Sequence, residues 1–387
     1  MKFRCERDAL SEAISSAGRA VASRSGALPI LSGLLVRTGA DEIHLAGSDL
    51  ELTIRVSAPA ECDAAGAAVL PARLFGDIVR SLEPGAVSVD VGEDEARIES
   101  GRSKFSLRVL AAEDFPRLPE IAGSGVRMDA AALAEALRQV IPAASRDDAR
   151  PILTGVLLVA EGSGLRLVAT DSYRLGVRDL PGESVLAAHL SGAAAEGRHV
   201  LVPAKALGEL QRLLGSAAPS PGASAAPGTE NTVELSFSDR DACFDTGRAR
   251  VSTRLIEGQF PNYQQLIPSG YPNRLVVPRE ALIEAVKRVR LIGRDRDNAP
   301  IRLTMSSSGL ELTTIVHDVG EAKEELDAKY EGSETTIAFN PEFLLDGLGA
   351  ISSEEVSLET LDTSKPAIVR SADGGDFLYL LMPVRVS

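Results

Sequence analysis

The same pattern of apolar and polar residues, typical of the first turns of a helix, occurs three times along the chain. The stretches ALSEAI, ALAEAL and ALIEAV stand at residues 9–14, 132–137 and 281–286. In each stretch the apolar side chains recur one helical turn apart, which is typical of an amphipathic helix. The sequence therefore predicts three related helices in three separate parts of the chain.

A predicted strand with alternating apolar residues follows each of these helices. Ile43 and Leu45 in the first copy, for example, are separated by one polar residue, which is the period of a half-buried strand. Each strand ends near an aspartate, which is most simply explained as a cap on a turn. The three strands lie at 43–50, 165–172 and 310–318, and the aspartates are Asp49, Asp171 and Asp318.

A second helix is predicted after the strand in each copy, at 69–82, 200–214 and 337–351. A proline stands at each predicted start, where the missing N–H costs nothing. In the first two copies, similar strand segments at 99–110 and 245–256 then lead to a Phe-Pro dipeptide. Because proline favours an extended exit, we interpret these dipeptides as parts of linkers. The three prolines at the helix starts are Pro71, Pro203 and Pro341.

The chain of 387 residues therefore consists of three tandem copies of one α+β unit with two helices and two sets of strands. We place the copies at 1–120, 126–257 and 272–387, with a Pro/Ser/Gly-rich loop insert at 215–231 in the second. Gene duplication without functional meaning is the alternative to a repeated working surface.

Composition places the chain among globular proteins of a reducing compartment. Apolar residues make up 44% and charged residues 25% of the sequence. We see no apolar signal region and no run near the roughly 20 apolar residues that span a bilayer. Cys5, Cys62 and Cys243 form no CxxC pair, which argues against a disulfide framework or a zinc site. We expect a cytoplasmic protein without membrane contact.

The formal net charge of −14 speaks against nucleic acid as a partner until the charges are sorted by element. Five of the six predicted helices are near neutral or basic, and many acids fall in predicted strands and loops. This distribution predicts two faces of opposite potential. The helix at 337–351 is acidic and departs from the pattern, and ordinary solvated helix faces are the alternative.

Helix dimensions limit what such a basic face can surround. Helices are about 10 Å across, so six in a circle leave a bore of about 9 Å and twelve leave about 28 Å. Duplex DNA is roughly 20 Å wide. Only twelve helices, which means two chains closed head to tail, therefore leave room for a duplex inside a ring.

Short motifs spread over essentially the whole chain resemble a known family, the bacterial sliding clamp or beta subunit of DNA polymerase III. Each motif is short, but their order and spacing together are specific. They are LPIL (28–31), GSDLE (47–51), LPAR (70–73), SGRSKFSL (100–107), DFP (114–116), ATDSYRL (169–175), FPNY (260–263), FN (339–340) and MPVR (382–385).

This resemblance implies the DNA clamp fold, in which a head-to-tail dimeric ring has helices lining its hole. It implies a non-enzymatic function, the encircling of double-stranded DNA without sequence specificity to confer processivity on the replicative polymerase. The implied partners are the DNA polymerase III alpha subunit, the clamp loader, and other polymerases and repair proteins that carry clamp-binding motifs. The implied location is the nucleoid within the cytoplasm.

The resemblance and the helix positions together assign residues to DNA and to partner peptides. The expected DNA-facing residues are Arg73, Arg80, Arg138, Lys205, Arg212 and Lys287. A hydrophobic pocket between domains 2 and 3 is implied for partner peptides. Its expected residues are Leu153, Thr170, Ser172, Tyr173, Arg174, Leu175, Pro261, Leu266, Asn340, Phe343, Leu380, Met382, Pro383 and Arg385.

Two features of the expected pocket depart from the family pattern. Ser172 and Tyr173 stand where a well-known member has glycine and histidine, which implies a bulkier pocket wall. The chain also continues after Arg385 with Val386 and Ser387, which would alter the rim. Without the resemblance, these residues would be interpreted as ordinary core positions.

The expected dimer contact joins the first repeat of one chain to the third repeat of the other. Basic side chains in 100–108 face acidic ones in 320–326, around an apolar centre, which would fix the orientation. Solvated surfaces are the alternative. The expected interface residues are Arg102, Lys104, Phe105, Leu107, Leu291, Ile292, Glu321, Glu324 and Glu325.

The sequence offers no arrangement of catalytic residues and no cofactor motif. No HExxH, glycine-rich phosphate loop or GxSxG elbow is present, and the histidines are scattered. Asp49, Asp171 and Asp318 stand one per copy, so they are not expected to converge on a metal. A nucleic-acid enzyme and a repeat scaffold that binds no DNA remain the alternative functions.

Overall fold

A computed structural model describes residues 1–22, 28–119, 125–161, 164–181, 199–216, 231–268, 270–293 and 299–385. Six α-helices lie within these ranges, two in each of the three predicted copies. The predicted loop at 215–231 falls almost entirely outside the described residues, as do Val386 and Ser387. The helices are α1 (Arg7–Gly18), α2 (Ala72–Ser81), α3 (Ala130–Val140), α4 (Ala204–Ser216), α5 (Arg279–Val289) and α6 (Pro341–Ala350).

The contacts within the chain divide it into two compact units. The first unit contains the described residues of 1–133 and 205–255, and the second contains those of 134–204 and 256–387. The second predicted copy is therefore shared between the two units, which the sequence did not reveal. No helix among the described residues is long and apolar enough to cross a bilayer.

Two antiparallel sheets make up the strands of the first unit. A five-stranded sheet has the order β5-β1-β7-β8-β9, and an eight-stranded sheet has the order β10-β15-β16-β17-β4-β3-β2-β6. The strands are β1 (Lys2–Glu6), β2 (Gly33–Thr38), β3 (Glu42–Ser48), β4 (Leu52–Pro59), β5 (Glu61–Ala64), β6 (Ala67–Pro71), β7 (Ala86–Val91), β8 (Glu95–Ser100), β9 (Ser103–Arg108), β10 (Val126–Asp129), β15 (Thr232–Phe237), β16 (Asp241–Asp245) and β17 (Ala249–Arg254).

The second unit also contains two sheets. A nine-stranded sheet has the order β14-β11-β12-β13-β26-β25-β24-β18-β22, and a four-stranded sheet has the order β21-β20-β19-β23. The strands are β11 (Gly155–Glu161), β12 (Gly164–Thr170), β13 (Arg174–Pro181), β14 (His199–Pro203), β18 (Asn273–Pro278), β19 (Ile301–Ser306), β20 (Gly309–Val316), β21 (Gly320–Leu326), β22 (Lys329–Glu331), β23 (Thr335–Phe339), β24 (Glu355–Thr360), β25 (Ala367–Ser371) and β26 (Phe377–Leu381).

Each large sheet is continuous across a junction between successive copies. In the first unit β17 of the second copy pairs with β4 of the first, with Arg250 opposite Arg55. In the second unit β26 of the third copy pairs with β13 of the second, with Leu378 opposite Val177. Backbone hydrogen bonds therefore run through the predicted domain boundaries.

The predicted helices are present, but the second helix of each copy starts later than expected. Residues 69–70, 200–202 and 337–339 belong to strands that end at or next to the predicted helix-start prolines. The β-branched and apolar residues there pair with a neighbouring strand, and the proline marks the change from strand to helix. Apolar content alone could not distinguish a short buried strand from the first turn of a helix.

The core of the first copy lies between its helices and strands. Leu10, Ile14 and Ala17 of α1 are buried against the α2 face that carries Phe75 and Val79. Phe75 is fully buried, so its replacement by alanine would cost about 3–5 kcal/mol. The apolar stripe read from ALSEAI is thus the packing face of α1.

The aspartates at equivalent strand ends cap tight turns, which confirms the prediction for Asp49 and Asp171. Oδ1 of Asp49 accepts hydrogen bonds from the amides of Glu51 and Leu52 at 3.1 and 2.7 Å. Oδ1 of Asp171 accepts from the amides of the second and third residues after it at 2.9 and 3.0 Å. The residue after each aspartate, Leu50 or Ser172, has a positive φ of 76° or 79°.

We expect Leu50→Gly to stabilise the first unit by about 1 kcal/mol, because glycine adopts a positive φ without strain. Leu74→Gly is a matched control, since Leu74 in α2 is 49% exposed and Leu50 is 48% exposed. In a helix the same change should destabilise by about 1 kcal/mol. Urea unfolding followed by circular dichroism measures both midpoints, and a lower midpoint for both variants would contradict this account of the turn.

Candidate functional site

Arg174, at the start of β13, is the most densely bonded of the predicted pocket residues. Its Nε donates to Oδ2 of Asp171 at 3.0 Å, and its Nη1 donates to the carboxylate of Asp346 on α6. The guanidinium lies over the ring of Phe343, with Cζ 4.3 Å from the ring centroid. The Arg174 side chain is only 10% exposed, so these contacts replace water. Arg174 therefore ties the turn after β12 to α6.

Tyr379 on β26 strengthens this connection. Its hydroxyl donates to the backbone oxygen of Phe343 at 2.9 Å, and burial raises the pKa of that hydroxyl. Desolvation lowers the pKa of Arg174, but the charges and hydrogen bonds of Tyr379, Asp346 and Asp171 raise it by more. Gly347 is required in α6, because a Cβ there would lie 2.4 Å from the Tyr379 ring.

An exposed aromatic surface covers this network. The rings of Tyr173 and Phe343 have centroids 6.3 Å apart, and the amide of Met382 donates to the backbone oxygen of Tyr173 at 2.8 Å. Tyr173 is 58% exposed, and Met382 is half-buried against an apolar cluster that includes Leu175. We call Tyr173, Arg174, Phe343 and Met382 the Arg174 patch. An adaptable thioether beside two rings suits contact with apolar side chains.

Other predicted pocket residues lie at different depths. Pro261 and Leu266 are exposed on the linker segment, where Tyr263 packs into the same apolar cluster as Met382. Pro383 is half-buried, and Ser172 and Arg385 are exposed. Asn340 caps α6, because its side chain accepts from the Glu342 amide.

Four predicted pocket residues are buried, so in this structure they support the pocket from beneath, and their contact with a partner peptide stays a prediction. Leu175 and Leu380 pack in the apolar cluster beneath the patch, and the Thr170 hydroxyl donates to the backbone oxygen of Arg174 at 2.6 Å. Alternation along β12, β13 and β26 turns the side chains of Thr170, Leu175 and Leu380 inward, and Leu153 is buried at the end of a short 3₁₀ turn. The four are Leu153, Thr170, Leu175 and Leu380, with exposed fractions of 5%, 3%, 1% and 2%.

Sequence reasoning did not include Asp171, Asp346 or Tyr379 in this site. Asp346 follows Phe343 by three residues on α6, so the two share a helix face. That spacing was the available signal for Asp346. Tyr379 carries no such signal, because its role depends on which strand β26 pairs with.

Most of the expected DNA-facing side chains are exposed and lie beside an acid of the same helix. Arg212 pairs with Glu209 at 2.8 Å, and Lys287 pairs with Glu284 at 2.8 Å. Arg73 and Arg80 both approach Asp77 on α2. Exposed pairs of this kind contribute little stability and exchange readily for other charges. Their exposed fractions are 97% for Arg73, 55% for Arg80, 62% for Arg212 and 52% for Lys287.

Lys205 and Arg138 have further contacts that sequence reasoning missed. Lys205 Nζ lies 2.8 Å from Oδ2 of Asp49, in the capped turn of the preceding copy. Arg138 donates to the carbonyl oxygens of Gly349 and Ala350 at 2.7 and 2.9 Å, where α6 ends. A cation at a helix C-terminus satisfies orphan carbonyls. Arg138 therefore has a structural role in the second unit, and its contact with DNA stays a prediction.

The expected dimer residues fall on sheet edges. Strand β9, with Arg102 just before it and Lys104 within it, is an edge of the five-stranded sheet, and β21, with Glu321, Glu324 and Glu325, is an edge of the four-stranded sheet. Edge strands present unpaired N–H and C=O groups that a second chain can complete. Leu107 is 5% exposed and packs inside the first unit, so it supports β9 from within, and its interface role stays a prediction.

The apolar residues near these edges include two that sequence reasoning missed. Leu291 is 58% and Phe105 37% exposed, and Ile292 is half-buried. Ile315 and Val319, close to β21, are 54% and 56% exposed. Ile315 shares its side of β20 with the partly exposed Glu311 and Thr313, so alternation along the strand was the available signal for its exposure.

Among the described residues, no group of three or more histidine, cysteine or carboxylate side chains is placed to hold a metal ion. Cys5, Cys62 and Cys243 are free. Burial is the main cause that raises the pKa of the Cys5 thiol to about 11, so it is protonated at neutral pH.

Family models match the chain in three consecutive segments. They are described as the N-terminal, central and C-terminal domains of the DNA polymerase III beta subunit, and they match residues 1–119, 127–262 and 264–385. The beta sliding clamp of Streptomyces coelicolor is 35% identical, and that of Synechocystis is 33% identical, each over the full length of both chains.

Solved structures agree with these sequence matches. The DNA polymerase sliding clamp from Bacillus subtilis has a TM-score of 0.87 at 27% identity, covering both chains fully. A sliding clamp from Bartonella birtlesii bound to griselimycin has a TM-score of 0.87 at 32% identity, again with full coverage of both. A clamp from Pseudomonas aeruginosa, also bound to griselimycin, has a TM-score of 0.86 at 30% identity over both full lengths.

Proposed function

The chain belongs to the DNA polymerase III beta subunit family, the bacterial beta sliding clamps, and we propose that it encircles duplex DNA as a head-to-tail homodimer. The observation that carries this proposal is the match of three consecutive clamp domains along residues 1–385. In this role the protein tethers the replicative polymerase and catalyses no reaction. It works in the cytoplasm, on the DNA of the nucleoid.

Exposed helix cations suit a tether that must slide. Arg73, Arg212 and Lys287 extend from three different helices and, within the described part of the chain, form ion pairs with acids on their own helices. Such side chains attract phosphates weakly and without reading bases, so the attraction depends on salt but not on sequence. Retention on DNA then comes from topology, and weak contacts leave the ring free to move.

The Arg174 patch is the proposed docking surface for partner peptides. The exposed Tyr173 ring and the half-buried Phe343 ring and Met382 thioether give apolar contact area, and the buried network under Arg174 holds them in place before a partner arrives. Proposed partners are the polymerase alpha subunit, the clamp loader, and other polymerases and repair proteins with clamp-binding motifs. Tyr173, which is 58% exposed, adds contact area to the surface that Phe343 offers.

Edge-strand addition is the proposed mode of dimerisation. Arg102 and Lys104 on one chain would meet Glu321 and Glu325 on its partner, with Phe105 and Leu291 beside them. Opposite charges fix the register of the added strand, and the apolar residues supply most of the affinity. Two such contacts close a ring of two chains.

The first test removes three cations with Arg73→Ala, Arg212→Ala and Lys287→Ala in one protein. We expect slower loading onto nicked circular DNA by the clamp loader and a salt dependence shallower by up to about three in log–log slope. The dimer should persist, since none of these residues lies on β9 or β21. Retained protein is measured by gel filtration of the DNA, before and after linearisation.

A control with Arg4→Ala, Arg97→Ala and Lys329→Ala loses the same charge from strands and should load normally. Unchanged loading of the helix variant at low salt would refute its DNA-facing assignment. Retention that survives linearisation of wild-type complexes would refute encirclement and favour ordinary DNA binding. No retention on either DNA would favour a scaffold that does not use DNA.

The second test uses griselimycin as a probe of the Arg174 patch. Met382→Glu places a charge in this apolar surface, so we expect at least about tenfold weaker binding by calorimetry. Leu361→Glu is the control, because Leu361 is an exposed apolar residue of the same unit, 39% exposed, outside the patch. Equal affinity of both variants would place the ligand elsewhere.

The third test reverses charge on the proposed dimer edge. Arg102→Glu with Lys104→Glu should give monomers at micromolar concentration in sedimentation velocity, because acids would then face the acids of β21. Lys2→Glu with Arg97→Glu changes the same charge on inner strands of that sheet and should leave the dimer intact. A dimer that survives the edge reversal rejects this contact.

A further inference from the structure

A cleft of about 870 Å³ opens on the first unit, against the eight-stranded sheet. Its floor comes from β2, β3, β4 and β17, and one wall is formed by residues 112–118, which contain the first Phe-Pro dipeptide. This volume lies in the range of protein ligand sites. None of the surfaces assigned above includes it.

The strand register of the two large sheets allows the floor of this cleft to be compared with the equivalent positions of the second unit. Leu35, Ala46, Arg55 and Arg250 lie in one row across β2, β3, β4 and β17. The corresponding row across β11, β12, β13 and β26 is Leu157, Val168, Val177 and Leu378, which is entirely apolar. Two apolar positions of the second unit are therefore arginines in the first.

The two units also differ in the next row of cross-strand partners. Arg37 and His44 stand in the first unit where Val159 and Arg166 stand in the second. Arg166 is held by a paired carboxylate, with Nε 2.6 Å from Oδ1 of Asp179. His44 instead has its Nδ1 2.9 Å from the hydroxyl of Ser57 and its Nε2 3.6 Å from a carboxylate oxygen of Glu42. In the second unit, apolar side chains and the Arg166–Asp179 ion pair occupy these positions. In the first unit the same positions carry basic side chains and line the open cleft.

The linker segments that follow the two sheets also differ between the units. By alignment of the two Phe-Pro dipeptides, Leu118 corresponds to Tyr263, which is buried in the apolar cluster under the second linker. Leu118 is only partly buried against Phe115 and Leu35. The smaller side chain leaves space between the first linker and the sheet, and that space is the cleft.

The charge around the cleft is the reverse of that of the whole chain. Five arginines and two acids line it, although the chain has 41 basic and 55 acidic residues. Asp245 binds Arg250 at 2.6 Å, but in the described part of the chain no ion pair involves Arg37, Arg117 or Arg248. Arg55 and Arg250 lie directly opposite each other on paired strands, so their repulsion is offset only in part by the Asp245 carboxylate beside Arg250.

We propose that this cleft binds a partner-protein segment in which acidic side chains flank a leucine or phenylalanine anchor. The anchor would sit on Leu35, Ala46 and Leu118, and the acids would pair with Arg37, Arg117 and Arg248. Arginine forks bind carboxylates in two-point contacts that fix the orientation of such a segment. Binding here is separate from the Arg174 patch, which is apolar and lies in the second unit.

The lining favours a peptide over a single-stranded nucleic acid. Single strands are bound mainly by stacking of bases on exposed aromatic side chains. Among the described lining residues the only phenyl ring is Phe115, which is 6% exposed and offers no face for stacking. An aliphatic floor with a basic rim fits an acidic segment with an apolar anchor.

The test measures fluorescence anisotropy of a fluorescein-labelled peptide EEDLLFEDE with the full-length protein. We expect micromolar binding that weakens with salt, and at least about tenfold weaker binding by Arg37→Glu and by Arg248→Glu. Arg4→Glu is the matched control, because Arg4 is also exposed on a strand of the first unit but lies outside the cleft. The neutral peptide QQNLLFQNQ should bind at least about tenfold more weakly.

Griselimycin should not displace the acidic peptide, which separates this cleft from the Arg174 patch. No binding by the wild type, an equal loss in Arg4→Glu, or displacement by griselimycin would overturn the proposal while leaving the clamp function intact. Binding of labelled oligothymidylate in place of the peptide, abolished by Arg37→Glu, would also overturn it and make the cleft a nucleic-acid site. Circular dichroism confirms that each variant is folded.

Discussion

Backbone pairing between strands of successive copies is the interaction on which the rest of this structure depends. β17 completes a sheet begun by β4, and β26 completes a sheet begun by β13. A strand pair of this kind fixes both distance and register, because a slip by one residue turns every side chain to the other face. Each pairing therefore sets which side chains of two copies can meet.

The two pairings share one geometry and differ in side chains. At β13 and β26, apolar residues fill the sheet face, and Arg174 locks the adjoining turn to α6. At β4 and β17, arginines replace apolar residues, and Lys205 contacts the capping Asp49 from the other copy. Duplication supplied the same scaffold at both places, and substitution gave each place its own binding chemistry.

Exposed charges with weak ion pairs and buried charges with strong ion pairs lie in different parts of this molecule. The helix cations pair with acids on their own helices, so they remain exposed and exchange partners at small cost. The Arg174–Asp171 ion pair is largely buried, so losing either partner would leave the other charge with little solvation. The first arrangement suits transient contact with a polyanion, and the second suits a surface that must be preformed for its partners.

The sequence by itself determined the helices, the threefold repetition and the aspartate turns, because these depend on residues within a few positions of each other. It also placed the exposed cations, since spacing along a helix decides which side they occupy. The tertiary structure alone decided that the middle copy is shared between two units. The burial of Leu380 and Leu107, the contact of Arg138 with the end of α6 and the basic cleft are likewise visible only in the tertiary structure. These features depend on pairing between strands far apart in the chain, and no local pattern encodes which edges meet.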